Sequence, residues 1–120
     1  MKIAVTATGK DMDSAIDPRF GRAAYFIIVD SETMEFKLVE NAQNLNLPQG
    51  AGIQAGKTII ENNAQLLITG NCGPKAFKVL QSAEIKIIIG AGGLVKDAVE
   101  QYKKGELKPV DTANVEGHWV

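Results

Sequence analysis

The chain has 120 residues, is 45% hydrophobic and 22% charged, and carries a formal net charge of −1. This near-neutral balance lacks the basic excess that sequence-independent nucleic-acid binding needs, so we expect no nucleic-acid partner. No apolar run reaches the roughly 20 residues of a membrane span, the N-terminus has no signal-peptide pattern, and one cysteine forms no internal disulfide. We therefore predict a cytoplasmic protein without a membrane partner, with the monomer as the default state.

The first forty residues predict three strands. The run KIAVTA at 2–7 is apolar and rich in β-branched residues, which is typical of a buried strand. The polar loop that follows, 9–22, is long for a small domain and is therefore a candidate functional loop. The segments 23–30 and 35–41 predict a hairpin. Its first strand is almost entirely apolar and so central, and its second alternates as an edge strand does.

The rest of the chain predicts helices that alternate with strands after a loop at 42–52. Pro74 favours a helix start, because its missing N–H would be unpaired at the first helical position in any case. Gly105 is expected to end the last helix. The predicted elements are a helix at 53–63, a strand at 65–69, a helix from Pro74, a strand at 85–90 and a helix to about Lys103.

These elements predict an α/β fold with a five-stranded mixed sheet in the order 3-2-1-4-5. Strands joined through helices are most simply parallel with right-handed crossovers, and the apolar fourth strand does not suit an edge. Strand 2 runs antiparallel in the hairpin, and helices cover both faces of the sheet. The length suits a single domain over 1–120, with its core in about 1–105 and a tail without clear periodicity in about 106–120.

Three glycine-rich segments follow the carboxyl ends of strands 1, 4 and 5 in this arrangement, at 9–22, 70–74 and 90–93. Ligands of such sheets collect at this edge. Glycines allow backbone N–H groups to approach a ligand closely, and helix starts carry partial positive charge, so the edge suits an anion. Arg19 and Arg22, on the first segment, are candidate anion contacts.

Cys72 and Lys75 lie beside the start of the second helix, in GNCGPK. A helix N-terminus stabilises a thiolate, so Cys72 is a candidate soft ligand, and Lys75 adds a positive charge. Each feature also has a plainer interpretation, since a lone cysteine is commonly a small buried hydrophobe and glycines at such junctions serve turns. The acidic residues of the first loop lack calcium-loop spacing, and we interpret them as a solvated loop: Asp11, Asp13 and Asp17.

The stretch QGAGIQAGKT at 49–58 resembles a phosphate-binding loop but does not match its pattern. G-x-x-x-x-G-K-[ST] needs a glycine at the position of Ala51, and a buried parallel strand should lead directly into it. GAGGLV at 90–95 is likewise incomplete as a dinucleotide fingerprint, since Val95 stands at its third glycine. The single histidine, His118, lies in the tail and offers no base to a nucleophile, so we predict that the protein is not an enzyme.

Three motifs carry a family resemblance: DPRFGRAAYFIIVD at 17–30, GAGI at 50–53 and GNCGPKAF at 70–77. Together they resemble the dinitrogenase iron–molybdenum cofactor biosynthesis family, which includes NifX-type carriers, and the resemblance covers roughly 1–105. It implies a ribonuclease-H-like fold without nuclease chemistry, and the binding or transfer of an iron–sulfur-type cluster or iron–molybdenum cofactor precursor. The motif positions carried over to this chain are Arg22, Gly50, Gly52, Gly70, Cys72, Gly73 and Pro74.

The sequence departs from this family at Arg19, where several members carry a histidine. Arginine does not ligate metal, which leaves Cys72 as the candidate metal ligand, and one thiolate is too few to hold a cluster alone. Three hypotheses stay open. The protein is a non-enzymatic carrier of an iron–sulfur-type cofactor with metal-cluster assembly proteins as partners, a regulatory module that binds an anion or a phosphorylated metabolite, or an interaction domain for a cluster-assembly ATPase.

Overall fold

The computed structural model describes residues 1–41 and 50–113. The predicted element types and their sequence are confirmed, although most strands are shorter than predicted and the first helix begins two residues earlier. The elements are β1 (Lys2–Ala7), β2 (Tyr25–Asp30), β3 (Phe36–Glu40), α1 (Ala51–Glu61), β4 (Leu66–Ile68), α2 (Pro74–Ser82), β5 (Lys86–Ile88) and α3 (Val95–Lys103).

The five strands form one mixed sheet in the order β3-β2-β1-β4-β5, as predicted. β2 is antiparallel to both of its neighbours, with Ile27 opposite Val5 on one side and Leu38 on the other. β4 pairs in parallel with β1 and with β5. β1 therefore lies in the middle of the sheet, and its alternating side chains reach both faces.

Helices cover both faces of the sheet and enclose two hydrophobic clusters. On the face that we call the α1/α2 face, Ile59 of α1 and Phe77 and Leu80 of α2 pack with Ala4 and Leu67 of the sheet. The opposite face, called the α3 face, is formed by every second strand residue and by the inner side of α3. Its buried residues include Ile3, Val5, Ile27, Leu66, Ile68, Val95, Ala98 and Val99.

The stretch that resembles a phosphate-binding loop belongs to α1, apart from Gln49, which lies outside the described residues. Gly50 is the N-cap with a φ of 81°, a conformation that glycine adopts without strain. Gly56 is buried, and a Cβ there would lie 3.0 Å from Cγ1 of Val79, so glycine allows α1 and α2 to pack closely. The Thr58 hydroxyl donates to the Gln54 carbonyl inside the helix (3.1 Å). The part of the stretch around Gly56 is thus a packing surface.

The segment after α3 continues to pack on the sheet. Leu107 contacts the α3 face, while Val110 and Ala113 contact the α1/α2 face. The Val110 N–H also donates to the Ile87 carbonyl (2.9 Å), so this segment covers the outer edge of β5. Part of the predicted tail therefore joins the fold, whereas His118 lies outside the described residues.

Candidate functional site

The three glycine-rich segments meet at one edge of the sheet, because β1, β4 and β5 are parallel and end there. Backbone hydrogen bonds join the segments directly. The Gly90 N–H donates to the Gly70 carbonyl (2.8 Å), and the Phe20 N–H donates to the Asn71 carbonyl (3.1 Å). α1 ends at Glu61, shortly before the start of β4 at the opposite edge, so α1 begins on the same side as α2 and α3. We call this side of the molecule the carboxyl edge.

The first segment leads into a turn, residues 17–24, in which one carboxylate accepts two backbone N–H groups. Asp17 is 4% exposed; its Oδ1 accepts the Arg19 N–H (3.0 Å) and its Oδ2 accepts the Ala24 N–H (3.3 Å). The Arg19 Nε lies 3.8 Å from the same carboxylate, although the Arg19 side chain is half exposed. Asp17 is therefore not a solvated acid, and that expectation was wrong. Its signal in the sequence was the Asp-Pro pair, which favours a turn.

The hydrophobic residues of FGRAAYF at 20–26, part of the first family motif, anchor this turn in the core. Phe20, Ala23 and Phe26 are 0% exposed, and the two phenylalanine rings lie 5.7 Å apart at 35°. Arg22 stands between two buried residues and is itself only partly buried. Most of the motif thus serves packing, and Arg22 is its one charged position.

The second segment is held tightly against the turn. A Cβ on Gly70 would lie 2.7 Å from Cα and 2.8 Å from the carbonyl oxygen of Pro18, so only glycine fits without movement of the backbone. Asn71 Nδ2 donates to the same carbonyl (2.8 Å). Below them the buried Thr6 hydroxyl lies 2.7 Å from the Asp17 carbonyl oxygen. The start of α2 and the 17–24 turn therefore form one rigid unit.

Cys72 lies in the core of the α1/α2 face and is 0% exposed. Its Sγ is 3.8 Å from the Gly73 carbonyl oxygen. Burial raises the pKa of the Cys72 thiol from 9.0 to about 12. The expectation that the helix start would stabilise the thiolate was wrong in direction, because desolvation of the charged form outweighs the helix dipole at this depth.

The starts of α1 and α2 have glycine N-caps and no acidic residue in their first turns. The N-caps, Gly50 and Gly73, have no side chain to accept the first N–H groups. Gly52 lies in the first turn of α1, and Lys75 lies exposed in the first turn of α2. A lysine at this position adds to the positive end of the helix dipole, so both starts suit an anion.

The start of α3 is covered by the first loop. The Val95 N–H donates to the Ser14 carbonyl (2.9 Å), and the Lys96 N–H donates to the Met12 carbonyl (3.0 Å). Lys96 Nζ also lies 2.7 Å from the Asp13 carboxylate, which raises the pKa of Lys96. Although the segment 90–93 reaches the carboxyl edge, its helix start is therefore already occupied.

The described residues provide no metal centre of the usual kind. Within 1–41 and 50–113, no group of three or more histidine, cysteine, aspartate or glutamate side chains is placed to hold a metal ion. Asp11 accepts the Asp13 N–H (3.0 Å), while Asp13 pairs with Lys96.

Among the described residues, no helix has the length and apolar character needed to cross a membrane.

The fold and the edge define a small α/β protein with a glycine-rich carboxyl edge. Residues 1–105 match the family model described as dinitrogenase iron-molybdenum cofactor, and the chain belongs to that family. The predicted family and the predicted fold class are both confirmed.

Solved structures resemble the chain over nearly its whole length. The apo form of the orange protein from Desulfovibrio gigas is 43% identical, with a TM-score of 0.93 and coverage of 95% of this chain and 96% of that one. A Thermotoga structure described as a NifB protein is 33% identical, with a TM-score of 0.82 and coverage of 97% and 98%. An uncharacterized protein of Methanocaldococcus jannaschii is 27% identical over 98 residues, which are 80% of this chain and 83% of that protein.

Proposed function

We propose that this protein is a non-enzymatic carrier that binds an anionic, sulfur-rich metal cofactor or its precursor at the carboxyl edge. The binding site lies on the part of the edge where α1 and α2 begin, which we call the α1/α2 side, as opposed to the α3 side, where α3 begins. Membership of a cofactor biosynthesis family supports the general role. The observation that carries the site is Lys75, a cation in the first turn of a helix whose end is already positive. In the free protein this placement is destabilising by about 0.3–1 kcal/mol, because the lysine charge is repelled by the helix dipole. When an anion is bound, the same lysine charge stabilises the complex.

The groups that would hold the cargo are the side chains of Arg19, Arg22 and Lys75 and the N–H groups at the start of α2. Asp17, the acid within the turn, already accepts two backbone N–H groups. The three cations outnumber this one carboxylate, so the net charge of these groups is positive. The start of α1, with Gly50 as its N-cap and Gly52 in its first turn, would add a further positive end at the same edge.

A cluster ligated by protein side chains does not fit the described residues. Protein-ligated iron–sulfur clusters are held by several cysteine thiolates, and Cys72 is a protonated thiol in the core. An assembled anionic complex fits better, because its own sulfides can accept hydrogen bonds from N–H groups and arginines. We accordingly assign Cys72 a packing role. The cargo is then held by hydrogen bonds and charge.

The test is anaerobic loading followed by metal analysis. Wild-type protein is incubated with iron and sulfide, or separately with tetrathiomolybdate, desalted, and examined by visible absorption and elemental analysis. We expect the wild type and Cys72→Ala to retain metal, and Arg22→Ala to lose most of it. Lys57→Ala, which removes an exposed lysine further along α1, is the control for net charge. If the wild type retains no metal above background from either source, the proposal fails.

A second candidate function uses the same edge for a phosphorylated metabolite, because helix starts with glycine caps also suit phosphate. Thermal-shift measurements with a panel of phosphorylated compounds separate the two functions. Stabilisation by a phosphorylated compound that Arg22→Ala abolishes, together with no metal retention, would favour this regulatory module over the carrier.

The family also implies assembly proteins as partners, since a carrier must receive its cargo and pass it on. An ATPase of metal-cluster assembly is one partner of this kind. A pull-down with loaded and unloaded protein tests this, because a delivery partner is expected to distinguish the two states.

A further inference from the structure

We infer that Asn41 is a positioning residue for Arg22, an inference that rests on the proposed function. Asn41 follows β3 and is 1% exposed. Its Nδ2 donates to the Gly21 carbonyl (3.2 Å) and to the Ala23 carbonyl (2.9 Å). Gly21 and Ala23 are the residues immediately before and after Arg22. One side-chain amide therefore fixes the backbone on both sides of the arginine.

The chemistry of the amide makes this arrangement specific. A side-chain amide nitrogen carries two N–H donors, and here both face carbonyl oxygens. The backbone N–H of Asn41 donates to a third carbonyl of the same turn, that of Ala24 (3.1 Å). Aspartate has nearly the same shape but no donor, so it cannot replace Asn41 in this role.

Asn41 and Asp17 hold the turn through opposite hydrogen-bonding roles. Asp17 accepts N–H groups from Arg19 and Ala24, whereas Asn41 donates to the carbonyls that flank Arg22. Neither side chain is exposed, so neither is itself a ligand contact. Their combined effect is to set the backbone of Arg22 before the cargo arrives. Binding then does not have to order the turn, and affinity rises by the cost that is avoided.

A double-mutant cycle tests the inference, with tetrathiomolybdate as the probe and its visible absorption as the signal. Asn41→Ala is expected to weaken binding about tenfold, because binding must then order the turn around Arg22. In the Arg22→Ala background the same change is expected to weaken binding by less than about twofold, because the residue it positions is gone. Asn41→Asp should behave like Asn41→Ala or worse.

A matched control separates positioning from stability. Asn62 also donates its Nδ2 to a backbone carbonyl, that of Thr58 (2.8 Å), but at the far end of α1. Asn62→Ala should lower the thermal midpoint without changing probe affinity. Equal losses for Asn41→Ala in both backgrounds, or no loss in either, would overturn the inference while leaving the proposed function in place. Failure of the wild type to bind the probe overturns the proposed function and this inference with it.

A measurement without ligand provides an independent check. The Ala23 N–H donates to the Phe20 carbonyl (3.3 Å), and the Ala24 N–H donates to Asp17. In Asn41→Ala we expect hydrogen exchange of these two amides to accelerate well beyond the average of the core, since the turn opens locally. If both amides keep their wild-type protection relative to the core, Asn41 does not fix the turn and the inference is wrong.

Discussion

The two sides of the carboxyl edge start from similar sequences and differ in what covers them. On the α3 side, a glycine-rich turn leads into a helix whose first N–H groups donate to the carbonyls of Ser14 and Met12. On the α1/α2 side, both helices begin at glycine N-caps, and α2 carries Lys75 in its first turn. A glycine-rich helix start is thus a ligand site only where no other segment of the chain has already satisfied it.

The largest difference in stability between the two sides should appear when one glycine on each side is replaced by alanine. Gly70→Ala is expected to destabilise the protein by about 1–3 kcal/mol, because its Cβ would overlap the Pro18 backbone. Gly92→Ala, on the α3 side, has open space around the new methyl group and should change stability by no more than about 0.5 kcal/mol. Urea unfolding of both variants measures the contrast. Equal effects would show that the two sides are not packed differently.

The next largest effect on stability is expected for a substitution at Cys72. Cys72→Ala should cost about 1 kcal/mol, roughly the value of one buried heavy atom, and should not affect metal retention. In the native wild type the pKa of about 12 keeps the thiol protonated, so alkylation near pH 8 should be slow. Its rate should rise with pH only towards that value and should become fast in urea. Rapid alkylation of the folded protein would contradict the buried position.

Lys75→Glu should have opposite effects on stability and on binding. A glutamate in the first turn of α2 interacts favourably with the helix dipole, so stability should rise by about 0.3–1 kcal/mol. Retention of tetrathiomolybdate should fall, because the anion loses a cation and meets a negative charge. Lys78→Glu, one turn further along the same helix, is the control and should do less in both assays. A loss of stability in Lys75→Glu would remove the observation on which the proposed site rests.

The smallest effect concerns the ion pair of the α3 side. Asp13 raises the pKa of Lys96 in the folded protein, so the pair stabilises the fold below the ordinary lysine pKa of 10.5. This stabilisation is lost as the pH rises through the raised value. Lys96→Met should therefore lower the thermal midpoint slightly at pH 7 and not at all in strongly alkaline buffer. Metal retention should be unchanged, and a loss of retention would extend the site to the α3 side.

The fold was predictable because its signals are local or follow from connectivity. Apolar runs marked β1, β2, β4 and β5, and Pro74 marked the start of α2. The strand order then followed from right-handed crossovers and from the apolar character of β4. None of these inferences required knowledge of which distant side chains are in contact.

Parts of the edge were not predictable, because they depend on contacts between distant segments. The carbonyls that cover α3 come from Met12 and Ser14, and a backbone group leaves no mark in the sequence. Asn41 is an ordinary polar residue after a strand, yet it binds a turn that lies some twenty residues earlier. For Cys72 a local argument from the helix start competed with burial, which only the packed fold reveals.

The backbone hydrogen bond from Val110 to Ile87 affects how the protein avoids aggregation. The β5 backbone would otherwise present an open carbonyl at the end of the sheet, where a strand from another molecule could add. The opposite edge, β3, carries Lys37 and Glu40, charges that discourage such pairing. One edge is thus protected by charge and the other by chain that lies beyond the last helix. A protein shortened to residue 105 would therefore be expected to self-associate through β5.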